Sequence, residues 1–153
     1  MKVLLSFFVL LFAFDVRAAD LVGTARALDG DTLVVAGTEV RLYGIDAPHL
    51  EQTCKTRKAG AQKCGVLAHQ ALSHLLRGPQ VRCEDKGRAA DGRVLATCKI
   101  GWMDLAEEMA ASGWAMADPE TGAGYGRAET FAKARKEGVW RTEFTPPWDW
   151  RGQ

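Results

Sequence analysis

Apolar residues recur at strand spacing between residues 21 and 45 and at helical spacing further along the chain. Residues 21–27 and 32–36 read as two strands split by Leu28-Asp29-Gly30-Asp31, and Asp-Gly is a strong hairpin signal. Val40 to Ile45 reads as a third strand, entered through a turn at Gly37 and stopped at Ala47-Pro48, because proline cannot continue a ladder. Residues 49–62 are polar and read as a loop. Ala68, Leu72, Leu75 and Leu76 then recur at helical spacing, and Arg77-Gly78-Pro79 closes that helix. Gln80–Asp85 and Arg93–Ile100 read as a hairpin around Ala90-Asp91-Gly92. Met103–Ser112 and Glu129–Lys136 read as two further helices, closed by Gly113 and Gly138. Trp140 to Trp150 is rich in Trp and Pro.

Three strands, a helix, two strands and two helices make an α+β chain that is mainly β. The order suits a five-stranded OB-fold barrel with three α-helices. The 153 residues allow one domain with a real core, and the 47% hydrophobic and 25% charged content excludes a disordered chain.

One apolar run belongs to none of these elements. Val3–Phe14 follows Met1-Lys2 and precedes Asp15-Val16-Arg17-Ala18, the layout of a secretory signal cut after Ala18 or Ala19. Twelve residues, all apolar but Ser6, are short for a bilayer span. The expected division is therefore a signal peptide at 1–18, a domain at 19–140 and a Trp/Pro-rich tail at 141–153. The mature chain would be exported, periplasmic or secreted, and without a membrane anchor. Losing Lys2, Arg17 and Asp15 leaves 18 basic and 18 acidic residues, so any nucleic-acid binding must come from a local patch.

Export gives the four cysteines a meaning, since an even count in an exported chain points to disulfides. Pairing Val81 with Ile100 sets Cys83 opposite Cys98, close enough to bridge. Cys54–Cys64 then closes the loop before the first helix. A four-cysteine zinc site would need CxxC-type pairs, and none is present.

The candidate chemistry lies in Asp29-Gly30-Asp31-Thr32, in Arg41-Leu42-Tyr43-Gly44-Ile45-Asp46-Ala47-Pro48 and in Asp91-Gly92-Arg93. Asp31 and Asp46 at strand ends are hard oxygen donors of the kind that bind Ca²⁺ or Mg²⁺. Arg41 and Arg93 are guanidinium forks suited to a phosphate whose charge grows in a transition state. The bland reading is two common Asp-Gly turns and solvated strand arginines.

These segments, in this order, resemble the thermonuclease family of staphylococcal-nuclease-like domains, from about Leu21 to Trp140. The resemblance implies a Ca²⁺-dependent phosphodiesterase acting on DNA and RNA. It assigns the metal to Asp31, Asp46 and the backbone carbonyl of Ala47, and catalysis to Arg41 and Arg93. The chain departs from the family at His49, where the family has a Glu that handles the attacking water. His49 is therefore an alternative base, a residue of a disabled site, or a solvated loop histidine. The family's nucleotide-contacting tyrosines also lack clear counterparts. The expectation is an exported endonuclease acting as a monomer on DNA and/or RNA, single-stranded above all. Its rival is a weak or inactive nuclease-like module binding nucleic acid or a protein partner.

Other residues carry less. His69 and His74 lie five apart on the first helix and share no face. Ser73 and Ser112 lack a His/Asp context. Arg82, Lys86, Arg88 and Arg93 read as a charged edge, or alternatively as a phosphate track. Trp140, Trp148 and Trp150 read as a tail packed on the domain, or alternatively as base-stacking residues.

Overall fold

The computed structural model describes residues 20–56, 60–78 and 80–150. The expected signal at 1–18 lies outside the described residues. The fold is mixed α+β and mainly strand. Its elements are β1 (Leu21–Gly23), β2 (Ala25–Ala27), β3 (Thr32–Val35), β4 (Thr38–Leu42), β5 (Ile45–Asp46), β6 (Thr53–Thr56), β7 (Gly60–Lys63), α1 (Cys64–Leu75), β8 (Val81–Arg88), β9 (Val94–Ile100), β10 (Met103–Asp104), α2 (Leu105–Ala111), β11 (Met116–Ala117), α3 (Gly126–Arg135) and α4 (Pro147–Trp150). Short 3₁₀ turns occupy Gly122–Tyr125 and Gly138–Arg141.

The main sheet has seven strands in the order β1-β8-β9-β4-β3-β2, with β10 paired to β9. This differs from the expected closed barrel of five strands. The first strand breaks at Thr24, so β1 pairs with β8 while β2 pairs with β3. The two ends of the sheet are joined along the chain but not hydrogen-bonded to each other. Four α-helices are described where three were expected. The fourth, α4, is a single turn begun at Pro147, with the Pro146 carbonyl accepting from the Asp149 and Trp150 N–H groups.

Three further expectations are corrected. The 49–62 loop contains the β6–β7 hairpin, invisible to period reading because Thr-Cys-Lys-Thr and Gly-Ala-Gln-Lys show no apolar alternation. The third expected strand breaks at Tyr43-Gly44, where Gly44 takes φ +79°, and β5 turns away to pair with β11. The second helix starts at Leu105 rather than Met103, because Met103 and Asp104 pair with Ile100 and Lys99 and the Asp104 carboxylate then caps α2.

The core lies between the inner face of the sheet and two helices. Leu33, Val35, Val40 and Leu42 meet Ala68 and Leu72 of α1 and Leu105 and Met109 of α2, all at 1% exposure or less. Each large side chain so buried contributes about 1.5–3 kcal/mol. The β8–β9 register sets Cys83 against Cys98, and both expected disulfides are present. A second cluster joins the Cys54–Cys64 bridge to Met116, Val139, Trp140, Phe144 and Trp148, so the tail packs on the domain. Lys55 and Glu143 exchange backbone hydrogen bonds across that seam.

Candidate metal and phosphate site

The site is built first by the turn before β3. The Asp29 Oδ1 accepts from the N–H groups of Asp31 (2.9 Å) and Thr32 (2.7 Å), an Asx-type turn. Burial and the charge of Asp31 raise the Asp29 pKa above the usual carboxylate range. Gly30 presses against α1, where a Cβ would meet the Ala47 and Ala68 Cβ atoms at 2.7 Å. No side chain fits there, so the turn carries Asp31 inward to 5% exposure.

Asp31 is then held on both oxygens. Its Oδ1 accepts from the Thr32 hydroxyl at 2.8 Å and its Oδ2 from the Ala47 N–H at 3.0 Å. Asp46, 2% exposed, is delivered by β5. Arg41 stands on β4 directly opposite Thr32. Its Nη2 donates to Asp46 Oδ1 at 3.0 Å and lies 3.6 Å from Asp31 Oδ2. One guanidinium nitrogen thus serves two buried carboxylates.

Arg93 reaches the same place from the β8–β9 connection. Gly92 takes φ +84° and lets the chain reverse. Asp91 then grips Arg93 through Nε (2.8 Å) and Nη2 (2.7 Å). Those hydrogen bonds hold the Asp91 carboxyl down at about 2 and push the Arg93 guanidinium up. The remaining nitrogen, Nη1, donates to the Thr32 hydroxyl at 3.0 Å. Asp31, Thr32, Arg41, Asp46 and Arg93 therefore form one connected cluster.

His49 follows the Asp46-Ala47-Pro48 segment directly and has partners of its own. The residue is exposed, and its ring stacks on Trp150 with centroids 5.2 Å apart and planes at 21°. Its Nδ1 accepts from the Glu51 N–H at 3.4 Å. A neutral imidazole has one basic lone pair, and here that pair faces the residue's own loop. The loop is tied down by buried Gln52, which accepts from the His49 N–H and donates Nε2 to the Thr145 carbonyl at 2.6 Å. His69 pairs with Ser73 on α1, with Nε2 and Oγ 3.3 Å apart.

Several participants have only a weak signal in the sequence. Thr32 carries the hydrogen bond that joins distant segments, and Asp91 grips Arg93 two residues along the chain. Tyr125 covers Gly44, where a Cβ would meet its ring at 2.6 Å, and its hydroxyl donates to Asp104 at 3.3 Å. Burial and the Asp104 charge push that phenol up to about 12. Burial pushes the Asp118 carboxyl up, but hydrogen bonds from Thr121 and Glu120 and the charge of Arg41 outweigh it and leave its pKa lowered.

The donor chemistry fits a hard divalent cation. Two carboxylates converge on one cationic point, Arg41 Nη2, and the Ala47 backbone adjoins Asp31. Among the described residues no group of three or more His, Cys, Asp or Glu side chains could hold a metal.

Residues 39–142 match the family described as staphylococcal nuclease homologue. The chain is also similar to the succinoglycan biosynthesis protein ExoI of Rhizobium meliloti (strain 1021), with 33% identity over 138 residues, covering 88% of this chain and 72% of that protein.

Proposed function

The chain belongs to the staphylococcal nuclease homologue family, and on that premise we propose that it hydrolyses phosphodiester bonds of DNA or RNA. The observation that carries this reading is the Asp31–Arg41–Asp46 cluster with Arg93 tied to it through Thr32. Two oriented guanidinium groups beside two buried carboxylates suit a phosphate that gains charge as it is attacked.

Ca²⁺ is the proposed cofactor, held by Asp31, Asp46 and the Ala47 carbonyl, and when bound it offsets charge on the scissile phosphate. Arg41 binds and orients the phosphate. Arg93, braced by Asp91 and Thr32, presents the second fork with little freedom to lose. His49, with its lone pair turned to Glu51, contributes little to proton removal, so attacking water is activated weakly. That arrangement also motivates the second reading, a nuclease-like module with slow or no turnover. Two disulfides support export to an oxidising compartment, periplasm or medium. Among the described residues no helix is long and apolar enough to cross a membrane. A single-stranded substrate is preferred in this reading, since its phosphates can approach an open cluster without unwinding. The relative's printed name raises a role in polysaccharide production, which the same assay can address with that polymer as competitor.

The test is cleavage of single-stranded DNA by the purified protein, with Ca²⁺ or with chelator, beside His49→Glu. Ca²⁺-dependent cleavage by the wild type supports the hydrolase. Cleavage by His49→Glu alone favours the module with one disabled position. No cleavage by either protein overturns the hydrolase reading.

A further inference from the structure

Trp102 is 101% exposed. It sits in the two-residue turn Gly101-Trp102 between β9 and β10, where Ile100 pairs with Met103 and Gly101 takes φ +60°. Such turns favour Gly, Asn or Asp. The fold therefore gains nothing from an indole here, and its whole apolar face is available for stacking.

The surface beside it is not blank. The registers of β1, β8 and β9 align Val22, Arg82 and Lys99 in one row on the outer face of the sheet. With Asp20, Glu84 and Thr97 they line an open groove of about 340 Å³ that reaches Gly101. The acidic members are already paired, Asp20 with Arg82 at 3.2 Å and Glu84 with Lys86 at 2.9 Å. Lys99 has no ion-pair partner among the described residues. The groove thus offers an unneutralised ammonium and a largely exposed guanidinium next to a free aromatic face.

The groove lies on the same side of the sheet as the candidate site. The parallel pairing of β4 with β9 sets Arg41 beside Leu95, and Leu95, Thr97 and Lys99 share one face. Leu95 and Lys99 are four residues apart, so the two regions are separated by about 13 Å along β9, with Trp102 just beyond. A single strand of several nucleotides covers that distance.

We propose that the groove beside Trp102 is a second, non-catalytic subsite for single-stranded polynucleotide. Trp102 stacks on a base, Lys99 and Arg82 take backbone phosphates, and the strand continues to the scissile position at Arg41. The subsite extends the nuclease reading and takes the class of its ligand from it. Stacking accepts any base, so the subsite confers length preference rather than sequence preference.

The experiment is binding of fluorescently labelled 4-mer and 12-mer oligo-dT to the full chain in chelator, read by anisotropy, so that cleavage plays no part. The wild type should bind the 12-mer more tightly than the 4-mer. Trp102→Ala should weaken 12-mer binding by about five- to a hundredfold, close the gap between the two lengths and leave the melting temperature unchanged, because the indole packs on nothing. Trp102→Phe should keep most of the affinity. Lys99→Gln should lower the salt slope of log K by about 0.7. Equal 12-mer affinities for wild type and Trp102→Ala would overturn the subsite. So would wild type that binds no oligonucleotide, including a result in which an acidic polysaccharide is bound in a Trp102-dependent manner instead. Trp102-dependent oligonucleotide binding without cleavage under any divalent cation would remove the hydrolase reading and leave the subsite standing.

Discussion

The Thr32 hydroxyl lies between two charges 62 positions apart in the chain, donating to Asp31 Oδ1 at 2.8 Å and accepting from Arg93 Nη1 at 3.0 Å. It fixes the spacing of a carboxylate and a guanidinium that never touch directly. Thr32→Val keeps the branched shape and removes both bonds. A hydrogen bond to a charged group is worth about 1.5–3 kcal/mol. The loss in kcat/KM should therefore be about ten- to a hundredfold. Steady-state cleavage of an oligonucleotide measures it, and unchanged kinetics would mean that Arg93 is held by Asp91 alone.

Arg41 carries a structural duty as well as a chemical one. Its guanidinium is shared by Asp31 and Asp46, whose side chains are 7% and 2% exposed. Removing one partner of a buried charge pair costs about 3–5 kcal/mol. Arg41→Ala should lose most of its activity and, in chelator, melt well below the wild type. Added Ca²⁺ should restore more stability to the mutant than to the wild type, since the cation takes over the charge that the arginine supplied. Urea unfolding with and without Ca²⁺ tests this, and equal metal responses in the two proteins would count against a shared seat.

His49→Glu adds a third carboxylate at the end of the Asp46-Ala47-Pro48 segment. Ca²⁺ affinity rises with the number of charged oxygen ligands. The variant should bind Ca²⁺ more tightly by calorimetry and cleave faster, whereas His49→Ala should change the rate by less than about threefold, because the lone pair it removes is engaged by Glu51. A much larger loss in His49→Ala would establish the imidazole as the base.

Tyr125 supplies a pH signature. Its phenol is raised to about 12 in the fold, against 10.0 for an unperturbed tyrosine. The unfolded chain loses this proton first, so the contribution is complete below pH 10.0 and is lost as pH rises towards about 12. Chemical denaturation between pH 9 and 12 should show this fall, and Tyr125→Phe should flatten it. An identical alkaline fall in the mutant would place its origin elsewhere.

The Cys83–Cys98 bridge closes a separation of 15 residues within the β8–β9 hairpin. A loop of that length gives about 3 kcal/mol in the chain-entropy account. The double Cys→Ala variant should lose at least this much, with an added cost for the space left at two fully buried positions. Reversible denaturant melts measure it.

Features that depend on near neighbours in the chain can be read from the order of residues alone. The Asp29-Gly30-Asp31 turn, the Asp46-Ala47-Pro48 strand end and the Cys83–Cys98 register were legible because turn chemistry and hairpin period act over a few residues. The four charged residues Asp31, Arg41, Asp46 and Arg93 were legible as types suited to one chemistry. How they meet is set by long-range packing. Thr32 became a link because β3 carries it to the residue that follows Gly92. The β6–β7 hairpin formed on a disulfide and on pairing with Glu143, not on an apolar alternation. His49 took its orientation from Trp150 and from a Gln52–Thr145 hydrogen bond spanning 93 residues. Contacts at that separation leave no periodic trace, because they are set by where the packed sheet and tail bring the chain together and not by any local preference of the residues involved.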